Sequence, residues 1–427
     1  MIGTLPCRLP EEAFVRIAGG GGGREAIRLL RRAGRSRTLL AIRFLVTEAG
    51  RLGHPDASVV EHACHVLSEA HRHSADAVAR VLGEPEVAMW AIGAARELVH
   101  GGTRFPPSSL ANVAAAAAVR AGLPAELPTA SGASIHLPSL GTVAPGGPDI
   151  RVEPDGDGCV IHVGGHRVRL LAGFQAPAPG WSPLVSVRLG PKTITLDRWG
   201  LGSLPQPFAG DLLRVGSRQA EKWSRVLSGG IDLLRRHGTA EPVVETVHTA
   251  TPLRQTEPDP ASATLADAFG CVLLSLPDDA RAAALTLVHE VQHAKLTGLL
   301  DVLPLLETSS SERFYAPWRQ DPRPLLGLLH GAYAYVGVVG FWGRQREIDT
   351  DPERVHEAEV EFARWLRATT ETVSLLTARP EFTEHGRTVL THMAETLAGW
   401  SRHRVSASAR AEAETLRSAH RDKWARP

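Results

Sequence analysis

Cysteine is scarce in this sequence, and the few cysteines lie far apart. The chain has 4 cysteines in 427 residues, and no two of them form a CxxC pair. This spacing predicts a protein of the reducing cytoplasm and argues against a cysteine-based metal knot.

Net charge is also nearly absent. The 47 lysines and arginines and the 46 aspartates and glutamates leave a formal charge of +1. A nucleic-acid binder, or a protein that binds membrane surfaces through basic residues, needs a positively charged surface. The composition therefore predicts neither kind of partner, while 43% hydrophobic residues allow a sizeable buried core.

Long apolar runs are limited to one, "LLGLLHGAYAYVGVVGFW", from Leu325 to Trp342. It has about the minimum length of a membrane span. It also contains a histidine and four glycines, and no second candidate span accompanies it. At the other end of the chain, "MIGTLPCRLPEEAF" has no basic stretch followed by an apolar one, so we expect no signal peptide. We therefore predict a buried helix and no membrane partner.

The hydrophobic pattern divides the chain into three predicted regions and indicates an α+β fold that is mainly α. Residues 1–125 carry apolar side chains at three- and four-residue spacing, which predicts helices. Residues 126–206 alternate with period two between Gly, Pro and Asp turns, which predicts a β-rich insert. Within it, "VGGH" predicts a hairpin turn in which Gly164 and Gly165 adopt positive φ. Structural and peptide-docking roles are both open for this insert.

Residues 207–427 are predicted to form a mainly helical, metal-binding catalytic domain. Two strand-like pieces, "PVVETVHTA" and "GCVLLSLP", precede its principal motif, "LTLVHEVQHAKLTG". We expect a helix that begins at Asp278 or Asp279 and ends at Gly298.

The motif is an HExxH sequence, which is typical of metal sites. On a helix with about 100° per residue, His289 and His293 lie about 40° apart and one turn apart, so both imidazoles can bind one ion. Glu290 then points to the side of that ion. The spacing predicts metal ligands, with two solvated histidines on a surface helix as the alternative.

The third ligand is not given by the motif. Leu296 stands where a metzincin has glycine, and no histidine follows at the required place. Asp301 and Glu347 are candidates, but His330 is the better one because it is the polar residue within the apolar run described above. A neutral imidazole buried there needs a partner, which is either a metal or a hydrogen bond in the core.

Two arginines precede the apolar run in "PWRQDPRP". Arg319 and Arg323 can each grip a carboxylate near a metal with a forked guanidinium. Alternatively, each pairs with Asp321 or with a helix end.

Three segments resemble one known family: "HEVQHAKLTGLLDVLPL", "YAPWRQDPRPLLGLLHGAYAYVGVVGFW" and the N-terminal "GGGGREAIRLLRRAGRS". They are similar to the HEXXH-motif proteins encoded beside ribosomally synthesised and modified peptides (RiPPs). The resemblance is most specific over residues 285–345, and the β-rich insert contributes little to it. It implies an iron(II)- and 2-oxoglutarate-dependent dioxygenase that β-hydroxylates a side chain of a precursor peptide.

The resemblance also implies roles for the candidate residues. His289, His293 and His330 would hold iron and leave three positions for 2-oxoglutarate and O₂. Arg319 or Arg323 would bind the distal carboxylate of 2-oxoglutarate. Glu290 would orient His289 or a bound water rather than act as a base.

Two other functions stay open at this stage, as does the oligomeric state. The first is a zinc peptidase that trims such a peptide, in which Glu290 is the catalytic base for zinc-bound water. The second is a helical binding module whose histidines are only structural.

Overall fold

The computed structural model describes residues 8–129, 132–196, 199–202, 204–205, 208–255, 260–308 and 310–424. With 56% helix and 15% strand, the protein is α+β and mainly α, which confirms the predicted fold class. Within the described ranges the helices are α1 (Glu11–Ala18), α2 (Arg24–Arg51), α3 (Ala57–His73), α4 (Ala75–Leu82), α5 (Pro85–His100), α6 (Leu110–Ala121), α7 (Ser217–Arg236), α8 (Ala240–Thr246), α9 (Ala280–Leu300), α10 (Leu325–Ile348), α11 (Pro352–Thr377), α12 (Glu384–Ser401) and α13 (Ala407–Trp424). The strands are β1 (Ala125–Pro128), β2 (Ile135–Leu137), β3 (Gly141–Val143), β4 (Asp149–Asp155), β5 (Gly158–Val163), β6 (His166–Leu170), β7 (Trp181–Pro183), β8 (Val185–Leu189), β9 (Lys192–Leu196), β10 (Thr249–Pro252), β11 (Ser262–Ala263), β12 (Cys271–Leu274), β13 (Arg313–Phe314) and β14 (Arg323–Pro324).

The long helix α2 joins two hydrophobic cores. Its first turns bury Ala26 and Leu30 in the core that also contains α9 and α10. Its later turns bury Ile42 and Leu45 in a second core with α3 to α6 and strands β1 to β7. The N-terminal helices therefore pack partly against the predicted catalytic region and partly against the β-rich insert.

Most of the β-rich insert forms two antiparallel sheets, with strand orders β1-β4-β5-β6 and β2-β3-β7. The turn between β5 and β6 has φ of 54° at Gly164 and 77° at Gly165, which confirms the predicted hairpin. A side chain disfavours this left-handed conformation, so glycine is the residue that makes the tight turn possible.

A mixed five-stranded sheet of order β11-β12-β10-β9-β8 supports the HExxH helix. Strand β10 runs parallel to β9 and β12, while β11 forms an antiparallel edge on β12. Strands β8 and β9 come from the predicted insert and β10 to β12 from the predicted catalytic region, so one sheet crosses the boundary placed at residue 206.

One strand prediction before the motif was only half right. In "PVVETVHTA", the first part is helix α8, and strand β10 begins at Thr249. Ala240, Val243 and Thr246 recur every three residues and bury one helical face, which outweighs the β-branched composition. The second piece, "GCVLLSLP", contains β12 as predicted.

Helix α9 carries the HExxH motif. It begins after Asp279, whose carboxylate accepts a hydrogen bond from the Ala282 N–H at 2.8 Å, as the capping pattern predicted. Its predicted end was wrong, because the helix continues past Gly298 to Leu300. A Cβ on Gly298 would lie 3.1 Å from Phe269 and 3.2 Å from Leu30, so this glycine allows α2 to pack closely against α9.

Helix α10 contains the long apolar run. Within the described part of the chain it alone is long and apolar enough to cross a membrane, and 72% of its most apolar window is buried inside the protein. It begins after Pro324 and packs against α9 and α11. The run is therefore a mostly buried core helix, as predicted.

Candidate metal centre

The three predicted ligands lie near one another where α9 packs against α10. The ring of His289 contacts Tyr335, with centroids 5.5 Å apart, and the ring of His293 contacts His330, with centroids 5.9 Å apart. Because the earlier residue of α9 meets the later residue of α10, the two helices run in opposite directions. This arrangement places His330 and Tyr335 of α10 beside the two motif histidines of α9.

His289 and His293 are spaced like two ligands of one ion. Their Nε2 atoms are 3.0 Å apart, and their ring planes are inclined by 76°. Two nitrogens that bind a metal at about 2.1 Å and at a right angle to each other lie about 3.0 Å apart. The same distance also fits a hydrogen bond from one neutral imidazole to the other.

His330 is close to this pair but does not complete it. Its ring is inclined by 30° to that of His293 at the 5.9 Å centroid separation. Among the described residues, no group of three or more His, Cys, Asp or Glu side chains is close enough to hold an ion as it stands. Completing a three-histidine site therefore requires the His330 side chain to turn toward the pair.

All three imidazoles are in the form that binds a metal. Burial lowers the pKa of His289 to about 4 and that of His330 to about 4. Burial lowers the pKa of His293 well below its usual value, and the neighbouring His289 and His330 lower it further. At neutral pH each ring is uncharged and keeps a lone pair for an ion. As whole residues, all three histidines are half-buried.

Glu290 faces the edge strand of the sheet. Its Oε1 accepts a hydrogen bond from Ser262 Oγ at 2.7 Å, and its Oε2 accepts one from Thr264 Oγ1 at 2.7 Å. The residue is 1% exposed, and burial raises the pKa of its carboxyl group to about 7, although both hydroxyl groups lower it. Glu290 thus attaches α9 to β11. Sequence reasoning missed Ser262 and Thr264 because a two-residue strand in "ASATLAD" has no periodic signal.

The two acidic candidates for the third ligand have other partners. Asp301 lies directly after α9 and accepts a hydrogen bond from Arg37 at 2.7 Å. Glu347 lies near the end of α10 and pairs with His403 at 3.6 Å. The geometry therefore brings His330, and neither carboxylate, to the histidine pair.

Arg319 and Arg323 both bind Asp321. The Arg319 Nε donates to Asp321 at 2.7 Å, and an Arg323 amino group donates to it at 3.0 Å. The hydrogen bond from Arg319, followed by that from Arg323, lowers the pKa of Asp321 to about 2. The arginine side chains are 54% and 34% exposed, so solvent reaches both ion pairs. Their role toward 2-oxoglutarate stays a prediction.

An aromatic wall covers one side of the candidate centre. Trp318 stacks on Tyr335 at 4.8 Å, and Tyr335 contacts both His289 and Trp365. A Cβ on Gly331 would lie 2.3 Å from the Trp318 ring, so glycine beside His330 is required for this packing. Sequence reasoning missed Tyr335 and Trp365 as site residues, since an aromatic residue in a helix usually signals only a core position.

No family model matches the sequence, and no curated protein matches it. The family resemblance therefore rests on the three quoted segments, and function has to be inferred from the side chains.

Proposed function

We propose that this chain is an iron(II)- and 2-oxoglutarate-dependent dioxygenase of the cytoplasm that β-hydroxylates a residue of a ribosomally synthesised precursor peptide. In such a reaction one atom of O₂ enters a C–H bond of the peptide. The other atom enters 2-oxoglutarate, which becomes succinate and CO₂. The observation that carries the proposal is the pairing of His289 and His293 at 3.0 Å with His330 on the facing helix.

The donor set fits a divalent transition metal. Three neutral imidazoles suit iron, zinc, copper or nickel, and three protein ligands leave open positions for small molecules. When bound, the iron supplies the oxidising chemistry. The histidines would hold the ion, and the wall of Trp318, Tyr335 and Trp365 would keep bulk water from the His289 side.

The exposed arginine pair suits a co-substrate that binds and is released in each catalytic cycle. Arg319 or Arg323 would exchange Asp321 for the distal carboxylate of 2-oxoglutarate. A forked guanidinium can bind both oxygens of that carboxylate. Asp321 would then hold the arginine in place when the co-substrate is absent.

The position of Glu290 supports the oxygenase over the peptidase. A zinc peptidase needs this carboxylate free to take a proton from zinc-bound water. Both of its oxygens instead accept hydrogen bonds from Ser262 and Thr264. An oxygenase needs no base at this place, so a carboxylate that only anchors α9 is compatible with it.

One observation favours the zinc peptidase as the second candidate. The pKa of Glu290 is raised to about 7, which is the range in which a general base works best at neutral pH. Acting as a base would require the carboxylate to break two hydrogen bonds and to turn toward the metal.

The test is to load the purified protein without oxygen with either Fe(II) or Zn(II), and then to add O₂, 2-oxoglutarate and a precursor peptide. We expect succinate to form only with Fe(II), and the His289→Ala variant to form none. The matched control is His65→Ala, which removes an exposed histidine on α3. Peptide cleavage with Zn(II) and no succinate with Fe(II) would support the peptidase instead.

A further inference from the structure

A second cavity lies behind the HExxH helix. It has a volume of about 260 Å³ and is bounded by the glycine loop of residues 19–21, by α9, α10 and α12, and by residues 238–243. Helix α9 presents Gln292 and Lys295 to this rear cavity. At about 100° per residue, Lys295 lies about 200° around the helix from His293, so the rear cavity is separate from the histidine cluster.

Lys295 brings a buried amino group to the rear cavity, and burial lowers the pKa of this group to about 7. The residue is 3% exposed, and its Nζ donates to the carbonyls of Gly20 at 2.6 Å and Gly21 at 2.8 Å. In its protonated form this group has three N–H donors, so one is left for another acceptor. Neutral carbonyls satisfy hydrogen bonds but do not neutralise the charge.

Gln292 brings an unsatisfied acceptor. The residue is 5% exposed, and its Nε2 donates to the Gly20 carbonyl at 3.0 Å. Its Oε1 is buried without a hydrogen-bond partner. This amide oxygen therefore lacks a donor, which a bound molecule can supply.

Arg344 adds a second cation from α10. It donates to the Gly340 carbonyl at 2.8 Å, and its guanidinium lies 5.0 Å from the ring centre of Trp400. No Asp or Glu occurs among the described residues that line the rear cavity. The carboxylate of Glu347, whose charge acts on Arg344, pairs with His403.

We propose that the rear cavity binds the C-terminal residue of a peptide. Its carboxylate would accept hydrogen bonds from Lys295 and Arg344, and its amide N–H would donate to Gln292 Oε1. Its apolar side chain would pack against Trp400 and the valines of α9 and α10 that line the cavity.

The charges select a peptide end over a free amino acid. A free amino acid carries an α-ammonium, and this group would lie close to the Arg344 guanidinium, with no acidic side chain among the described lining residues to pair with it. An amide nitrogen carries no charge and offers the one donor that Gln292 needs. This inference does not depend on a metal or on the proposed function.

The test compares four probes by calorimetric titration of the purified protein: N-acetyl-L-leucine, its amide, L-leucine and N-acetyl-Ala-Ala-Leu. We expect the two N-acylated acids to bind. The amide lacks the carboxylate and free leucine adds an α-ammonium, so each of these two should bind at least about tenfold more weakly. The same result is expected in the His289→Ala variant, which separates this site from the metal centre.

Variants then place the binding in the rear cavity. Arg344→Gln should weaken binding of N-acetyl-Ala-Ala-Leu by about tenfold. Arg346→Gln, on the same helix but outside the cavity lining, should leave it unchanged. Equal binding of acid and amide, or loss of binding in both variants alike, would overturn the proposal. If N-acetyl-L-leucine binds and N-acetyl-Ala-Ala-Leu does not, the site holds a small molecule, and the proposal that it binds the end of a peptide is overturned.

Discussion

The Nε2 atom of His293 lies 3.0 Å from the Nε2 atom of His289, one helical turn earlier. Because burial keeps both rings neutral, this pair is ready either to share a proton or to bind one ion. The proposed chemistry begins from this pair.

The pair should be necessary for metal binding. We expect wild-type protein loaded with Fe(II) in the absence of oxygen to retain one ion per chain. His289→Ala and His293→Ala should lose it, because each removes half of the pair. Metal analysis after desalting measures this, with His65→Ala as the control. Full iron content in a double variant would show that the ion binds elsewhere.

His330 should be the third ligand. His330→Ala is expected to lower the affinity for Fe(II) by tenfold or more, on the order of the loss seen when groups that support a metal site are removed. Asp301→Ala and Glu347→Ala should have little effect, since Arg37 and His403 occupy these carboxylates. Competition with a metal-binding dye gives the affinities. Loss of metal in Glu347→Ala alone would point to a peptidase-like ligand set.

The arginine pair should affect the co-substrate and not the metal. Arg319→Lys or Arg323→Lys should raise the apparent KM for 2-oxoglutarate, because an ammonium cannot bind both carboxylate oxygens. We expect a change of about tenfold, below that of a fully desolvated pair, since solvent screens these side chains. Arg323, at 34% exposure, should show the larger effect. Unchanged KM values in both variants would place the carboxylate site elsewhere.

Glu290 should make stability depend on pH in a defined direction. Its folded pKa of about 7 lies above the ordinary value of 4.5, so the folded protein binds the proton more tightly than the unfolded chain. The resulting stabilisation is complete below pH 4.5 and is lost as the pH rises through 7. Glu290→Gln removes this loss and still offers an oxygen to Ser262 or Thr264. The melting temperature of the variant relative to wild type should therefore be higher above pH 7 than below pH 4.5. If the variant and the wild type differ in melting temperature by the same amount at both pH values, the Glu290 carboxyl group does not cause the pH dependence of stability.

The sequence predicted those parts of the candidate site that lie on single helices. The HExxH spacing placed His289 and His293 on one face, and the apolar surroundings singled out His330, because both patterns are local. Partners that come from elsewhere in the chain were not predictable. The hydroxyl donors to Glu290 are Ser262, on a two-residue strand, and Thr264, directly after it. Trp365 approaches Tyr335 from α11, through packing that no local pattern encodes.

The fold shows the same division. Helices and the hairpin at Gly164 followed from periodicity and turn chemistry. The end of α9 did not, because Gly298 serves close packing against Leu30 rather than a helix end. The mixed sheet could not be predicted either, since it joins strands β9 and β10 across 52 residues of intervening chain.

The most direct test of the proposed function is the source of the oxygen atom in the product. Fe(II)-loaded protein is given 2-oxoglutarate, a precursor peptide and isotopically labelled O₂ in unlabelled water, and the peptide is examined by mass spectrometry. We predict an intact peptide that gains one labelled oxygen atom at a β-carbon, with one succinate formed for each hydroxylation. A cleaved peptide whose new carboxylate carries oxygen from water would contradict the oxygenase and identify a hydrolase.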